Sequence, residues 1–139
     1  MTIIAFSDVH LGYEESDSAD FMEFLEYLEA RDDIKHIVIV GDFIDLWRRD
    51  VVGLEFELSS YIEKLKKLQK RCNVHYVIGN HDFHLRELKR YAYPFRFRSS
   101  LTLRKLGYKL FFFHGFQCDP LQNDRLSYFT GSNVLDIIR

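Results

Sequence analysis

The sequence predicts an α/β fold, and three observations carry that expectation. Short apolar, β-branched runs recur along the chain, amphipathic segments of helical period separate the first three, and each run ends in a polar turn built from Gly with Asp, Asn or His. Strand–helix–strand–helix–strand favours a parallel core sheet, and the alternating apolar and polar residues that follow favour antiparallel strands. The length of 139 residues suits one domain spanning 1–139.

The first strand is Thr2-Ile3-Ile4-Ala5-Phe6, and it delivers Ser7-Asp8-Val9-His10-Leu11-Gly12. On an extended segment residues i and i+2 share a side, so Asp8 and His10 are expected to aim at one point past the strand end. Open α/β sheets place their ligands there. A carboxylate beside an imidazole suits a borderline divalent cation such as Zn, Mn or Fe. A loop to Asp17 leads to a helix with Phe21, Leu25 and Leu28 on its apolar stripe, broadened by Met22 and Phe24. Ser18 or Asp20 is expected to cap it, with Asp20-x-x-Glu23 as a capping box.

The second strand, His36 to Val40, runs into Gly41-Asp42-Phe43-Ile44-Asp45. Trp47 then lies either packed under this turn or at the rim of a pocket. Arg48 and Arg49 face either a substrate phosphate or solvent. The next helix is expected from Leu54 or Ser60 to Arg71, with a capping box at Ser60-x-x-Glu63, an apolar stripe of Tyr61, Ile62, Leu65 and Leu68, and an i,i+4 pair of Glu63 with Lys67. The third strand, Asn73 to Ile78, ends in Gly79-Asn80-His81-Asp82. His36 and His75 stand inside strands, away from the turns, and read as structural.

Phe83 to Arg90 reads as a turn or two of helix. Pro94 to Arg104 alternates with a break at Ser99-Ser100, which points Phe95 and Phe97 inward and Arg96 and Arg98 outward. The fourth strand, Lys109 to Phe113, ends in His114-Gly115, and the tail from Asp119 reads as partly helical with a break at Gly131-Ser132-Asn133. Gly opens or closes three of these turns, where it lets backbone approach a ligand closely.

Composition bounds the function. Hydrophobic residues at 47% with 29% charged describe a globular chain with enough apolar mass for a core. No apolar run reaches the ~18 residues of a membrane span, and the N-terminus lacks the basic start and apolar stretch of a signal peptide. Cys72 and Cys118, far apart, suit a reducing compartment, so a cytoplasmic location is expected. Charge is unevenly spread. Glu14 to Asp33 holds nine acidic residues and one basic, whereas Arg86 to Lys105 holds seven basic and one acidic.

Asp8-x-His10, Gly41-Asp42-x-x-Asp45, Gly79-Asn80-His81-Asp82 and His114-Gly115 occur in the order of four blocks of a known family. Over Ile3 to about Asp119 the chain resembles the calcineurin-like metallophosphoesterases. Within that family, Ser7-Asp8-x-His10-Leu11, Gly41-Asp42-Phe43-x-Asp45-x-Trp47 and His114-Gly115-x-x-Cys118-Asp119 are similar to the UDP-2,3-diacylglucosamine pyrophosphatases. That group carries Arg where His81 stands and a long helical insertion for which this chain has no room, so its lipid substrate is not carried over. The family's fifth block, Gly-His-x-His, is absent, since no histidine follows His114.

The resemblance implies a two-sheet α/β sandwich with helices outside, C-terminally incomplete here. It implies two divalent metal ions, with Asp8 and His10 on one, Asn80 and His114 on the other and Asp42 bridging. Manganese is expected, with iron or zinc as alternatives. A hydroxide shared by the ions would attack phosphorus, His81 would serve the leaving group, and Asp45 would orient His81. Arg48, Arg49 and Arg86 are candidates to bind substrate. A phosphomonoester, a phosphodiester and a nucleotide pyrophosphate stay open. So do a protein-binding scaffold with a weak metal site and a nucleic-acid enzyme using the basic, aromatic stretch from Arg86 to Lys105. Without the fifth block each ion lacks one protein ligand, so the 139 residues are expected to be a fragment of a longer domain that binds metal weakly alone. The sequence is silent on oligomeric state.

Overall fold

In the computed structural model the backbone is described for residues 2–47, 51–86, 95–105 and 107–119, and side chains for the same residues other than 51–57 and 86. The expected tail helix lies outside them. β1 (Thr2–Phe6), α1 (Ser18–Glu29), β2 (Ile34–Val40), α2 (Val51–Gln69) and β3 (Asn73–Val77) form two successive β-α-β units. A short β4 (Phe97–Arg98) follows, then a hairpin of β5 (Leu101–Lys105) and β6 (Tyr108–Phe112).

One sheet has the order β1-β2-β3-β4, and all its pairs are parallel; the second sheet is the antiparallel hairpin β5-β6. This is the α/β architecture with two sheets that the sequence implied. The alternation within each central strand explains the layers. Ile37 and Ile39 of β2 and Tyr76 of β3 pack with Phe21, Leu25 and Leu28 of α1 and Leu65 and Leu68 of α2. The opposite face offers Val38 and Val77, which pack against Leu101 of β5 with Leu103 and Phe112 alongside. Phe95 is buried while Arg96 and Arg98 are exposed, as the alternation required.

Three local expectations are corrected. α1 starts at Ser18 with Asp17 in the N-cap position, so Asp20 lies inside the first turn and forms no capping box. α2 starts at Val51, which leaves Ser60 mid-helix. Glu63 pairs with Lys66, one turn away at i,i+3 and 2.8 Å, rather than with Lys67. Lys64 of α2 reaches Glu29 at 2.8 Å and Glu26 at 3.3 Å, which ties the acidic face of α1 to the neighbouring helix.

His36 and His75 meet on adjacent strands. His36 Nδ1 and His75 Nε2 are 3.0 Å apart and the rings stack at 5.3 Å. Burial holds both below the ordinary imidazole value near 6.5, assisted by Lys105 for His36 and by His36 and Arg98 for His75. A lowered folded pKa means that the unfolded chain takes up protons first, so this stability is complete above pH ~6.5 and declines as pH falls below it. Urea denaturation should therefore show lower stability at about pH 5.5 than at about pH 7.5. A His36→Gln/His75→Gln variant should depend less on pH over that interval.

Candidate metal centre

The three parallel strands stop together, and their loops are laced by backbone hydrogen bonds. Asp8 N–H donates to the Gly41 carbonyl at 3.2 Å, His10 N–H to Asp42 at 2.9 Å, Leu11 N–H to Phe43 at 2.9 Å, and Asp45 N–H back to Leu11 at 3.0 Å. Leu11 and Ile44 form a parallel bridge, so the β1–β2 pairing resumes beyond an interruption. In that interruption stand Asp8, His10 and Asp42 with φ of 58°, 51° and 50°. Asp and His are among the non-glycine residues that best tolerate this left-handed region, yet each such residue costs of order 1–3 kcal/mol. Asp8 and His10 thus converge through left-handed turns, rather than by the i,i+2 alternation of an extended strand.

Side chains then gather. His10 Nε2 lies 3.9 Å from both Asp8 Oδ1 and Asp42 Oδ2. His114 arrives from the end of β6, with Nε2 at 3.4 Å from Asp8 Oδ1 and 3.5 Å from Asp42 Oδ2. Asp42 therefore turns one oxygen toward both imidazoles, while its Oδ1 accepts the His81 N–H at 2.9 Å. Two glycines make room for the cluster, Gly79 for Asp42 and Gly41 for His114. A Cβ on Gly79 would sit 2.5 Å from Asp42 N and 2.8 Å from its Cγ, and one on Gly41 (φ 79°) would come within 2.7 Å of Gly79 Cα.

A second cluster adjoins the first. Asp45, fully buried, has Oδ1 at 3.2 Å from His81 Nδ1 and Oδ2 at 3.7 Å from His10 Nδ1. Trp47 stacks on His81 at 4.1 Å with rings 22° apart, donates its indole N–H to the Asn80 carbonyl at 2.9 Å, and donates its backbone N–H to Asp45. Of the two sequence alternatives for Trp47, packing is the one observed, and its partner is the site residue His81.

Donor chemistry suits a divalent cation. Asp8, His10 and Asp42 can direct ligand atoms within 4.8 Å of one another, and so can His10, Asp45 and His81. Two ring nitrogens, His10 Nδ1 and His114 Nδ1, are buried without a hydrogen-bond partner. Asn80 lies in the same loop. Arg48 and Arg49 fall outside the described residues, as does the Arg86 side chain. Phe95, one of the aromatics offered for stacking on nucleic acid, is buried and unavailable for it.

Asp82 received no role from the sequence, although it closes the Gly79-Asn80-His81-Asp82 block. It is fully buried and accepts from Tyr76 Oη at 2.6 Å, Gly79 N–H at 2.7 Å and Phe43 N–H at 3.0 Å. Burial pushes its carboxyl up to about 6, against these three donors. Asp82→Asn turns an NH2 toward donors and should lower stability by about 1–3 kcal/mol. Gly79→Ala should cost about 1–3 kcal/mol through overpacking against Asp42. Equilibrium urea denaturation measures both, and unchanged midpoints would contradict these roles.

Comparison with known proteins places the chain. It matches the calcineurin-like phosphoesterase family over residues 1–136. It is 32% identical over 120 residues to a UDP-2,3-diacylglucosamine hydrolase from Blochmanniella pennsylvanica, an alignment covering 83% of this chain and 46% of that protein. The chain therefore spans about half the length of the curated relative it matches. A crystal structure of a protein of unknown function from Aquifex aeolicus superposes with a TM-score of 0.51 at 18% identity, covering 94% of this chain and 69% of the other, a likeness of fold alone. The family match runs through both sheets and every loop that carries a candidate ligand, and the chain belongs to the calcineurin-like phosphoesterases.

Proposed function

We propose that the protein is a metal-dependent phosphoesterase that hydrolyses a phosphomonoester, phosphodiester or nucleotide pyrophosphate bond. The observation that carries this reading is the ring of Asp8, His10, Asp42 and His114, with imidazole and carboxylate atoms 3.4–3.9 Å apart at the strand ends. Such spacing is long for hydrogen bonds and apt for donors to a shared cation. Asp8, His10, Asp42, Asn80 and His114 would hold two divalent ions, manganese in the first instance. When bound, the ions lower the pKa of a water and neutralise charge on the phosphoryl oxygens.

The remaining work belongs to the chain. Asp45 accepts from His81 Nδ1, which leaves Nε2 as the nitrogen that gives a proton to the departing oxygen. Trp47, stacked on the ring, holds its plane and stabilises the imidazolium by cation–π attraction. The backbone His81 N–H on Asp42 Oδ1 ties the proton donor to the ligand loop, so the two cannot drift apart. Arg48, Arg49 and Arg86 remain candidates for the substrate phosphate. The curated relative's name speaks of a UDP-sugar hydrolase, which supports keeping the pyrophosphate bond among the targets. Two unpaired cysteines support a reducing, cytoplasmic setting.

Hydrolysis of bis(p-nitrophenyl) phosphate should appear with Mn and vanish with chelator, and Asp42→Ala should abolish both metal uptake and turnover. Absence of turnover under saturating Mn would overturn the assignment. His81→Ala should lower turnover about 100-fold on esters with alkyl leaving groups, and under tenfold on p-nitrophenyl esters, at unchanged metal content. Equal losses on both would remove His81 from the proton-transfer role.

A further inference from the structure

A groove of about 540 Å³ opens beside the ligand cluster, and Asp8 and His10 belong to its wall. Its apolar surface is Phe6, Phe21 and Phe24, with Phe6 meeting the other two rings edge-on at 5.4 and 5.7 Å. Its rim carries Glu15 and Asp17, both exposed, and no lysine or arginine among the described residues lines it. This is where the acidic flank of the sequence, Glu14 to Asp33, meets the candidate centre.

Three kinds of group can be weighed against that lining. A further phosphate would lie against Glu15 and Asp17 with no cation to receive it. A neutral alkyl group would use the rings but leave the carboxylates without a partner. An organic ammonium group uses both, because its alkyl groups pack on an apolar wall and its charge is drawn to carboxylates. The N-terminal end of α1 opposes this with about half a positive charge. Asp17, which makes no side-chain capping hydrogen bond, and Asp20 in the first turn offset it. The charge of Asp8 would be taken up by a cation it ligates, so Glu15 and Asp17 decide the preference.

We infer that this groove binds a quaternary-ammonium alkyl group, and that the substrate is a phosphoester carrying one. The inference rests on the phosphoesterase reading above for the hydrolytic step, in which water gives its hydroxyl to phosphorus and its proton to the departing oxygen. The groove itself stands on its lining. It also turns a polyphosphate chain away from this side of the centre.

Binding and turnover test it separately. Choline added to the Zn-loaded protein should shift the ring resonances of Phe6 and Phe24 in NMR spectra, and should bind about five- to tenfold tighter than its carbon isostere 3,3-dimethylbutanol. Glu15→Gln/Asp17→Asn should erase that preference. In the Mn-loaded protein, kcat/KM for p-nitrophenyl phosphorylcholine should exceed that for the p-nitrophenyl 3,3-dimethylbutyl diester about fivefold, and the same double variant should level the two. Equal binding of choline and the isostere, or a preference that survives the double variant, overturns the inference. Hydrolysis of bis(p-nitrophenyl) phosphate without any choline preference overturns it while sparing the phosphoesterase reading. Selective choline binding with none of the three esters hydrolysed overturns the phosphoesterase reading and the substrate assignment with it, and leaves only the groove's preference standing.

Discussion

Asp82 holds the strand ends in register. Its carboxylate has no exposed surface, and its donors come from β3, from the loop after β3 and from the loop after β2. Removing a charge from water is costly, and burial, with Asp42 nearby, lifts this carboxyl to about 6 even against its three donors. Three hydrogen bonds to the charged form offset that cost, and each also satisfies a donor that the packed interior would otherwise orphan. The bond to Phe43 N–H sets the loop that contains Asp42 and Asp45. The bond to Gly79 N–H sets the loop that contains Asn80 and His81. A single buried acid thus positions most of the candidate chemistry without facing it.

On that base the centre carries strain. Asp8, His10 and Asp42 all have positive φ, and the Gly41–Gly79 approach leaves no room for a side chain. At order 1–3 kcal/mol for each left-handed residue, the three together rival a large fraction of a small domain's stability. The backbone bonds between the first two loops and the fully buried Leu11, Phe43 and Ile44 beneath them over-determine the conformation. A relaxed loop would let the carboxylates separate, since Asp8 and Asp42 are both acidic and no described lysine or arginine pairs with either. Local strain held by a rigid sheet is the expected condition of a prearranged site.

The fold was legible because its signals are collective. Ile37, Val38 and Ile39 are apolar on both faces, as a strand buried between helices and a second sheet must be, and Gly-Asp or Gly-Asn marks the turn that follows. The capping boxes misled because they are local signals that tertiary contacts override. Ser60 fits the pattern, yet α2 already runs from Val51 with Leu58 in the core. The convergence of Asp8 and His10 was legible from residue type, but the route was not: left-handed backbone at a non-glycine residue leaves no mark in the side-chain pattern. Asp82 closes its block without a legible task, because an acid that serves by being buried looks, in sequence, like an acid that serves by being exposed. The Phe6–Phe21–Phe24 wall reads as plain core for a similar reason, since one ring can face a helix with one edge and a groove with another.

The histidines show how partner chemistry separates structure from site within one sheet. His36 and His75 face each other in β2 and β3, with Lys105 and Arg98 nearby, and burial and those cations hold both imidazoles below their ordinary value. About 16 Å further along the strand direction, at ~3.3 Å per residue over five residues, His10, His81 and His114 face Asp8, Asp42 and Asp45 instead. Those carboxylates and imidazoles together offer donor atoms to a divalent cation. One end of the sheet therefore disfavours a proton on its imidazoles, and the other collects candidate ligands. The acidic residues along α1 and its preceding loop extend the collecting end outward to Glu15 and Asp17, whereas the basic Arg98 lies on β4 at the far edge of the first sheet and Arg104 and Lys105 on β5 of the second. A net charge of −2 conceals this polarity, because the two flanks nearly cancel in the sum while standing on different faces of the fold.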